Sequence, residues 1–171
     1  MQLSAQMQKA LNDQIQMEFA SHYAYLAMSA WLAERTFDGF AAWMRVQAME
    51  EHAHAMKILD YLLDRGGTVT FPALPGAGGK WKSPVEVFES AKAHEAKVSA
   101  SITRLYALAV KELDYPTQAM LQWFLTEQVE EEKTSSAVVE RLRMAGDNSS
   151  ALLMLDRELG SRQSGADEGG E

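Results

Sequence analysis

The sequence predicts an all-α fold: an antiparallel four-helix bundle with one long crossover loop and a short fifth helix near its C-terminal end. Three observations carry this prediction. Four stretches, 1–38, 40–65, 85–115 and 117–145, contain neither glycine nor proline. They are rich in Ala, Leu, Met, Gln, Glu and Lys, whose side chains lose little rotamer freedom in a helix. Second, strand-like alternation occurs only at Thr68-Val69-Thr70-Phe71, too short to found a sheet. Third, Gly66, Gly67, Pro72, Pro75, Gly76, Gly78 and Gly79 crowd into one segment between the second and third stretches.

The helices are expected at about 4–35, 38–65, 84–112, 116–145 and 148–159, boundaries set by caps and breakers. The first runs to a short break at Thr36-Phe37-Asp38-Gly39, and the second stops at Gly66, where a left-handed C-terminal cap is expected. The third opens on Ser83-Pro84-Val85-Glu86. There Ser takes the N-cap, Pro the first helical position, and Glu the place three residues after the cap. The fourth follows Tyr115-Pro116 and ends at Gly146. Gly146 and Gly160 bracket the fifth, whose Leu152-Leu153-Met154-Leu155 run is too apolar for a free terminus. The polar, glycine-rich tail SRQSGADEGGE is expected to be disordered, leaving one domain over 1–160.

Connection lengths set the topology. A few residues join helices one and two, and three and four, so each pair should be antiparallel. Helices two and three are separated by about 18 residues, long for a structureless loop in a compact domain. A helix of ~28 residues is ~42 Å long at 1.5 Å per residue. About 18 extended residues at ~3.3 Å each can travel that distance. The loop can therefore carry the chain back along the whole bundle before helix three begins.

Each long helix has one apolar stripe at three- and four-residue steps. Helix one presents Leu11, Ile15, Glu18, His22, Tyr25, Ser29 and Leu32. Helix two presents Phe40, Met44, Gln47, Glu51, His54, Ile58 and Leu62, and helix three Phe88, Ala91, Glu95, Val98, Ile102 and Leu105. Helix four presents Leu121, Phe124, Gln128, Glu131, Ser135, Val138 and Leu142. All four stripes are apolar at their ends and acidic in the middle. Glu18, Glu51, Glu95 and Glu131 would meet at one level of the bundle. No Lys or Arg lies on the stripes near that level to neutralise them. Burying carboxylates is costly unless they are paired or bind a metal, so a cation is the natural partner. Glu51-x-x-His54 sends both side chains from one helical face toward one ion. With lone glutamates from other helices it forms the di-iron carboxylate pattern of bundle proteins. A carboxylate-rich, nitrogen-poor donor set suits iron or manganese.

Composition agrees. The chain has 171 residues, no Cys, and 24 acidic against 16 basic side chains, a net charge of −8. Absence of Cys removes disulfides, iron–sulfur clusters and thiolate zinc sites. The acid excess opposes nucleic-acid binding, which needs a basic face. No secretory signal and no membrane-spanning run is visible, so a cytoplasmic protein with no membrane partner is expected.

The sequence resembles the ferritins, specifically the non-haem bacterial ferritins. The resemblance rests on Gln14-Ile15-Gln16-Met17-Glu18 with Tyr25, Ala27-Met28-Ser29-Ala30-Trp31, Glu50-Glu51-His52-Ala53-His54, Glu95, Asp114-Tyr115-Pro116-Thr117, Leu121-Gln122-Trp123-Phe124 and Glu127-Gln128-Val129-Glu130-Glu131-Glu132-Lys133. It covers roughly residues 4–160 and implies a ferritin-like bundle, one subunit of a hollow shell of twenty-four copies that stores ferric oxide. It further implies a ferroxidase acting on Fe(II) with O2 or H2O2. Glu18, Glu51 and His54 would bind the first iron, with Glu51 bridging, and Glu95 and Glu131 the second. Gln128 matches the position that contacts the oxidant or second metal, and Tyr25 the tyrosine beside the centre. Glu50, Glu127 and Glu130, sharing Glu131, match a third iron site. Two departures matter. Where bacterioferritins repeat Glu-x-x-His on helix four, this chain has Gln128 and Glu131. Their haem-ligating Met would fall at position 52, which here is His52, so haem is not expected and His52 is read as a surface or interface residue. A haem-binding bacterioferritin-like protein, another di-iron oxidase and a metal-free helical interaction protein are the rival readings.

Overall fold

The computed structural model describes residues 3–161. The expected tail lies outside that range except for Ser161. Five helices follow in chain order: α1 Ala5–Ala33, α2 Asp38–Asp64, α3 Pro84–Lys111, α4 Tyr115–Ala145 and α5 Ser149–Leu159. No strand occurs among the described residues. Thr68–Phe71 is irregular backbone, as its length predicts.

The starts of α1, α3, α4 and α5 are capped from within their own sequence. Ser4, Ser83, Asp114 and Asn148 accept from the backbone N–H three residues on. Glu86 turns back to the Lys82 N–H at 2.8 Å, one residue before the capping serine. Gly66 (φ 72°) and Gly146 (φ 52°) take the positive φ expected of residues that close α2 and α4. Two turns use residues other than glycine for the same purpose, Thr36 after α1 (φ 63°) and Leu113 before α4 (φ 55°).

Gly39 lies inside the first turn of α2, within the expected 38–65 span. A Cβ built on it would sit 1.7 Å from the Asp156 carbonyl oxygen, so glycine is required there by the approach of α5. Phe37, at the N-cap of α2, supplies no side-chain acceptor. Asp156 of α5 does so instead, accepting from Gly39 N at 3.1 Å and Phe40 N at 2.8 Å.

α1 packs on α2 and α3, α3 on α4, and α5 seats on α2 and α4. The crossover runs beside α1 in the direction of its chain. Gln8 accepts from Thr68 N, Asn12 donates to Thr68 O and accepts from Thr70 N, and Gln16 donates to Ala73 O. Farther along, Trp81 packs edge-on against Trp31 near the end of α1. The loop therefore spans the bundle and starts α3 at the end where α1 finishes.

The core is divided. One apolar cluster holds Met28, Leu32, Phe40, Trp43, Met44, Phe88 and Leu142; the other holds Met7, Leu11, Ile15, Ile58, Ile102, Leu121 and Phe124. Between them lies a layer of buried polar side chains from all four long helices.

Candidate metal centre

The predicted stripes of α2, α3 and α4 are buried at every position, including Gln47, Glu51, His54, Glu95, Gln128 and Glu131. On α1 one position shifts. His22 is only half-buried, and Ser21 takes the inward place between Glu18 and Tyr25. Three- and four-residue steps allow either choice, and packing decides. The small Ser21 leaves room for His94 of α3, whose Nε2 lies 2.6 Å from Ser21 Oγ. His22 turns away and binds the Ala48 carbonyl through Nδ1 at 2.6 Å. His52 is exposed beside it.

Ligand atoms of Glu18, Glu51 and His54 all lie within 4.8 Å of one another, and the three side chains are buried. Four buried atoms in this group have no hydrogen-bond partner: Glu18 Oε2, both Glu51 oxygens and His54 Nδ1. Buried polar atoms are nearly always satisfied, so such a cluster marks a place shaped for something the chain itself does not provide.

Its electrostatics point the same way. Burial pushes Glu18 up to about 7, helped by the Glu95 charge and opposed by the adjacent Glu51 carboxyl, whose proton can be shared with Glu18, and by the bond from Gln14. Burial raises Glu51 still further, and the charges of Glu18 and Glu95 add to it. His54 falls to about 4 through burial and the nearby Lys57 charge. At neutral pH the imidazole is neutral, the form that binds a metal. A divalent ion would replace the missing counter-charge and the missing bonds together.

The other layer residues are held by protein donors. Tyr25 O–H donates to Glu95 Oε1, and Gln128 donates to Glu95 Oε2 at 3.2 Å. Burial and the Glu95 charge hold the Tyr25 phenol well above its ordinary value, so it stays a donor. Gln47 donates to Glu131 Oε2 at 3.1 Å and to Glu50 Oε2 at 2.9 Å. Of the three residues expected at a third position, Glu50 and Glu127 are half-buried, whereas Glu130 is exposed and pairs with Lys133 at 3.4 Å.

Several supporting residues have no site role in the sequence reading. Gln14 donates to Glu18 Oε1 at 2.7 Å and accepts from Ser101 at 2.6 Å. This chain fixes one Glu18 oxygen and leaves the other facing the cluster. Trp123 meets the His54 ring edge-on at 5.4 Å and carries Lys57 Nζ 3.9 Å above its own ring. His94 packs against Tyr25. Gln14 lies in one of the segments by which the chain resembles the ferritins but on none of the stripes; its spacing of one turn from Glu18 is the signal that points to it.

Comparison with known proteins adds an independent line. Residues 8–145 match the family described as Ferritin-like domain. The bacterial non-heme ferritin of Staphylococcus haemolyticus is 38% identical over 160 residues, covering 94% of this chain and 96% of that protein. The bacterial non-heme ferritin of Bacteroides fragilis is also 38% identical, with 94% and 99% covered. Among solved structures, an open-pore ferritin from the hyperthermophilic archaeon Archaeoglobus fulgidus superposes with a TM-score of 0.93 at 43% identity, covering 94% of this chain and 98% of that one.

Proposed function

This chain belongs to the ferritin family, and from that premise we propose that it is an iron-storage subunit whose buried carboxylate layer oxidises Fe(II). The observation that carries the proposal is the set of partnerless ligand atoms on Glu18, Glu51 and His54. Two carboxylates and one imidazole suit Fe(II), an ion of intermediate hardness.

In this reading Glu18, Glu51 and His54 hold the first Fe(II), and Glu51 bridges to a second held by Glu95 and Glu131. Each Fe(II) gives up one electron. The pair of electrons reduces O2 with two protons to H2O2, or H2O2 with two protons to two waters. The layer positions two ions for a joint two-electron step and stabilises the extra positive charge of the ferric product. Tyr25 and Gln128 keep Glu95 oriented by donating to its two oxygens. By resemblance, Gln128 takes the position that contacts the oxidant or the second metal. The product moves on toward a third group, Glu50, Glu127 and Glu130, and is deposited as mineral inside a closed shell of about twenty-four subunits, in the cytoplasm.

Glu51→Ala and His54→Ala test the assignment. Each should abolish the fast phase of aerobic Fe(II) oxidation in stopped-flow absorbance while leaving the assembled particle intact by light scattering. A fast phase unchanged in both variants would falsify the site.

A further inference from the structure

The buried carboxylates of the layer differ in how many oxygens protein donors already hold. Both Glu95 oxygens accept, one from Tyr25 and one from Gln128, whereas both Glu51 oxygens have no partner. Glu18 is divided. Its Oε1 accepts from Gln14 Nε2 at 2.7 Å, and its Oε2 has no partner. Gln14 lies one turn before Glu18 on α1 and is 2% exposed. Ser101 of α3 donates to its Oε1 at 2.6 Å, and its Nε2 also lies 3.9 Å from Met17 Sδ. Turned round, the amide would set its oxygen against the Glu18 carboxylate. The observed order of hydroxyl, amide oxygen, amide nitrogen and carboxylate pairs each donor with an acceptor.

We propose that Gln14, anchored by Ser101, is a positioning residue that confines Glu18 to one-oxygen ligation of the first ferrous ion. With Oε1 committed to the amide, Oε2 alone is left for the ion. A carboxylate can bind a metal through one oxygen or two, so the oxygen withheld keeps one coordination place open. O2 or H2O2 needs such a place to take up electrons from the iron. A hydrogen bond to a charged, buried carboxylate is strong enough to compete for that oxygen. The residue type fits this role. A Lys at 14 would neutralise Glu18 and oppose the incoming cation. A Glu there would repel Glu18 or become a ligand itself. An apolar side chain would leave Oε1 free to join the ion. This proposal rests on the ferroxidase reading.

The test is the crystal structure of the assembled protein loaded with Zn(II), a redox-inert substitute for Fe(II), with the ion located by anomalous scattering. In the parent, one Glu18 oxygen should lie at bonding distance, roughly 2.0–2.2 Å, and the other should stay on Gln14. Gln14→Met removes the donor at similar volume, and Ser101→Ala removes its anchor. In both, the two Glu18 oxygens should reach the ion. Ser101→Thr keeps the hydroxyl and should restore the parental ligation. In stopped-flow, Gln14→Met should retain anaerobic Fe(II) binding while its fast oxidation phase slows by at least about fivefold. A residue that merely supports packing would weaken binding and leave the ligation of Glu18 unchanged. Ser101→Ala carries the test alone if Gln14→Met fails to assemble. Two Glu18 oxygens on the ion in the parent, or one in Gln14→Met, overturns the role of Gln14 alone. One in Ser101→Ala beside two in Gln14→Met overturns the part given to Ser101. A parent that binds no Zn(II) at Glu18, Glu51 and His54 overturns the site reading together with it.

Discussion

At the scale of single residues, the chemistry of the buried layer is governed by desolvation. Glu18 and Glu51 hold protons to unusually high pH because burial penalises their charged forms. In the folded chain Glu18 titrates near 7 rather than at its ordinary 4.5. Between those values the folded state keeps a proton that the unfolded chain has released, so stability falls as pH rises through that window. His54 acts in reverse. Lowered to about 4 from 6.5, it adds stability as pH rises from about 4 to 6.5 and nothing further above. Above pH 6.5 the carboxyl effect therefore stands alone, prolonged by Glu51. Metal-free protein should therefore be less stable at about pH 8 than at 6.5. A bound divalent ion should remove the difference. Thermal melts at both pH values, in chelator and in Zn(II), check this. A chelated protein that is more stable at the higher pH would contradict it. Most of these residues were legible in the sequence because a carboxylate in an apolar stripe is conspicuous. His22 was misplaced because spacing alone cannot choose between positions 21 and 22. The contact of Ser21 with His94, from a helix far away in sequence, makes that choice.

At the scale of elements, α5 completes α2. Asp156 supplies the cap that Phe37 cannot, across 117 residues of sequence from Gly39. Gly39 and Gly160 let the two backbones meet, and Arg141 ties Glu158 of α5 to α4 at 2.5 Å. Asp156→Ala should cost about 1 kcal/mol, the usual worth of an N-cap. Gly39→Ala should be worse, because the obstructing atom is backbone carbonyl and cannot rotate away. Both should expose the 146–148 connection to limited proteolysis, Gly39→Ala the more rapidly. Cleavage at the parental rate in both would show that α5 is held by other contacts. The crossover offers a parallel case. Gln8, Asn12 and Gln16 recur every fourth residue on α1 and serve as hydrogen-bonding posts for Thr68, Thr70 and Ala73. From sequence they are an ordinary polar face.

At the scale of the whole molecule, the chain buries Glu18, Glu51, Glu95 and Glu131 and exposes apolar side chains. Tyr23, Leu26 and Met49 are exposed on α1 and α2, and Leu153 (61%) and Met154 (74%) on α5. The fifth helix is thus divided. Leu152, Leu155 and Leu159 pack against the core, while Leu153 and Met154 face outward. An exposed apolar patch on a folded chain marks a surface for association. Ferritin relatives and this exposure together lead to the expectation of a large particle, near twenty-four times the 19.0 kDa chain, by light scattering or native mass measurement. A monomer or dimer at micromolar concentration would refute the shell.

The sequence by itself determined the helices, their order, the crossover and the identity of the buried acids. These follow from local rules: residues three and four apart share a helical face, glycine and proline interrupt it, and a carboxylate on an apolar face needs a partner. Tertiary structure decided which side chains from other helices those acids meet. Gln14 and Ser101 orient Glu18, Tyr25 and Gln128 hold Glu95, and Gln47 joins Glu50 to Glu131. It alone also shows that Gly39 is small for the sake of α5. Contacts between separate helices depend on the azimuth and height at which they pack, and no periodicity within one helix records either.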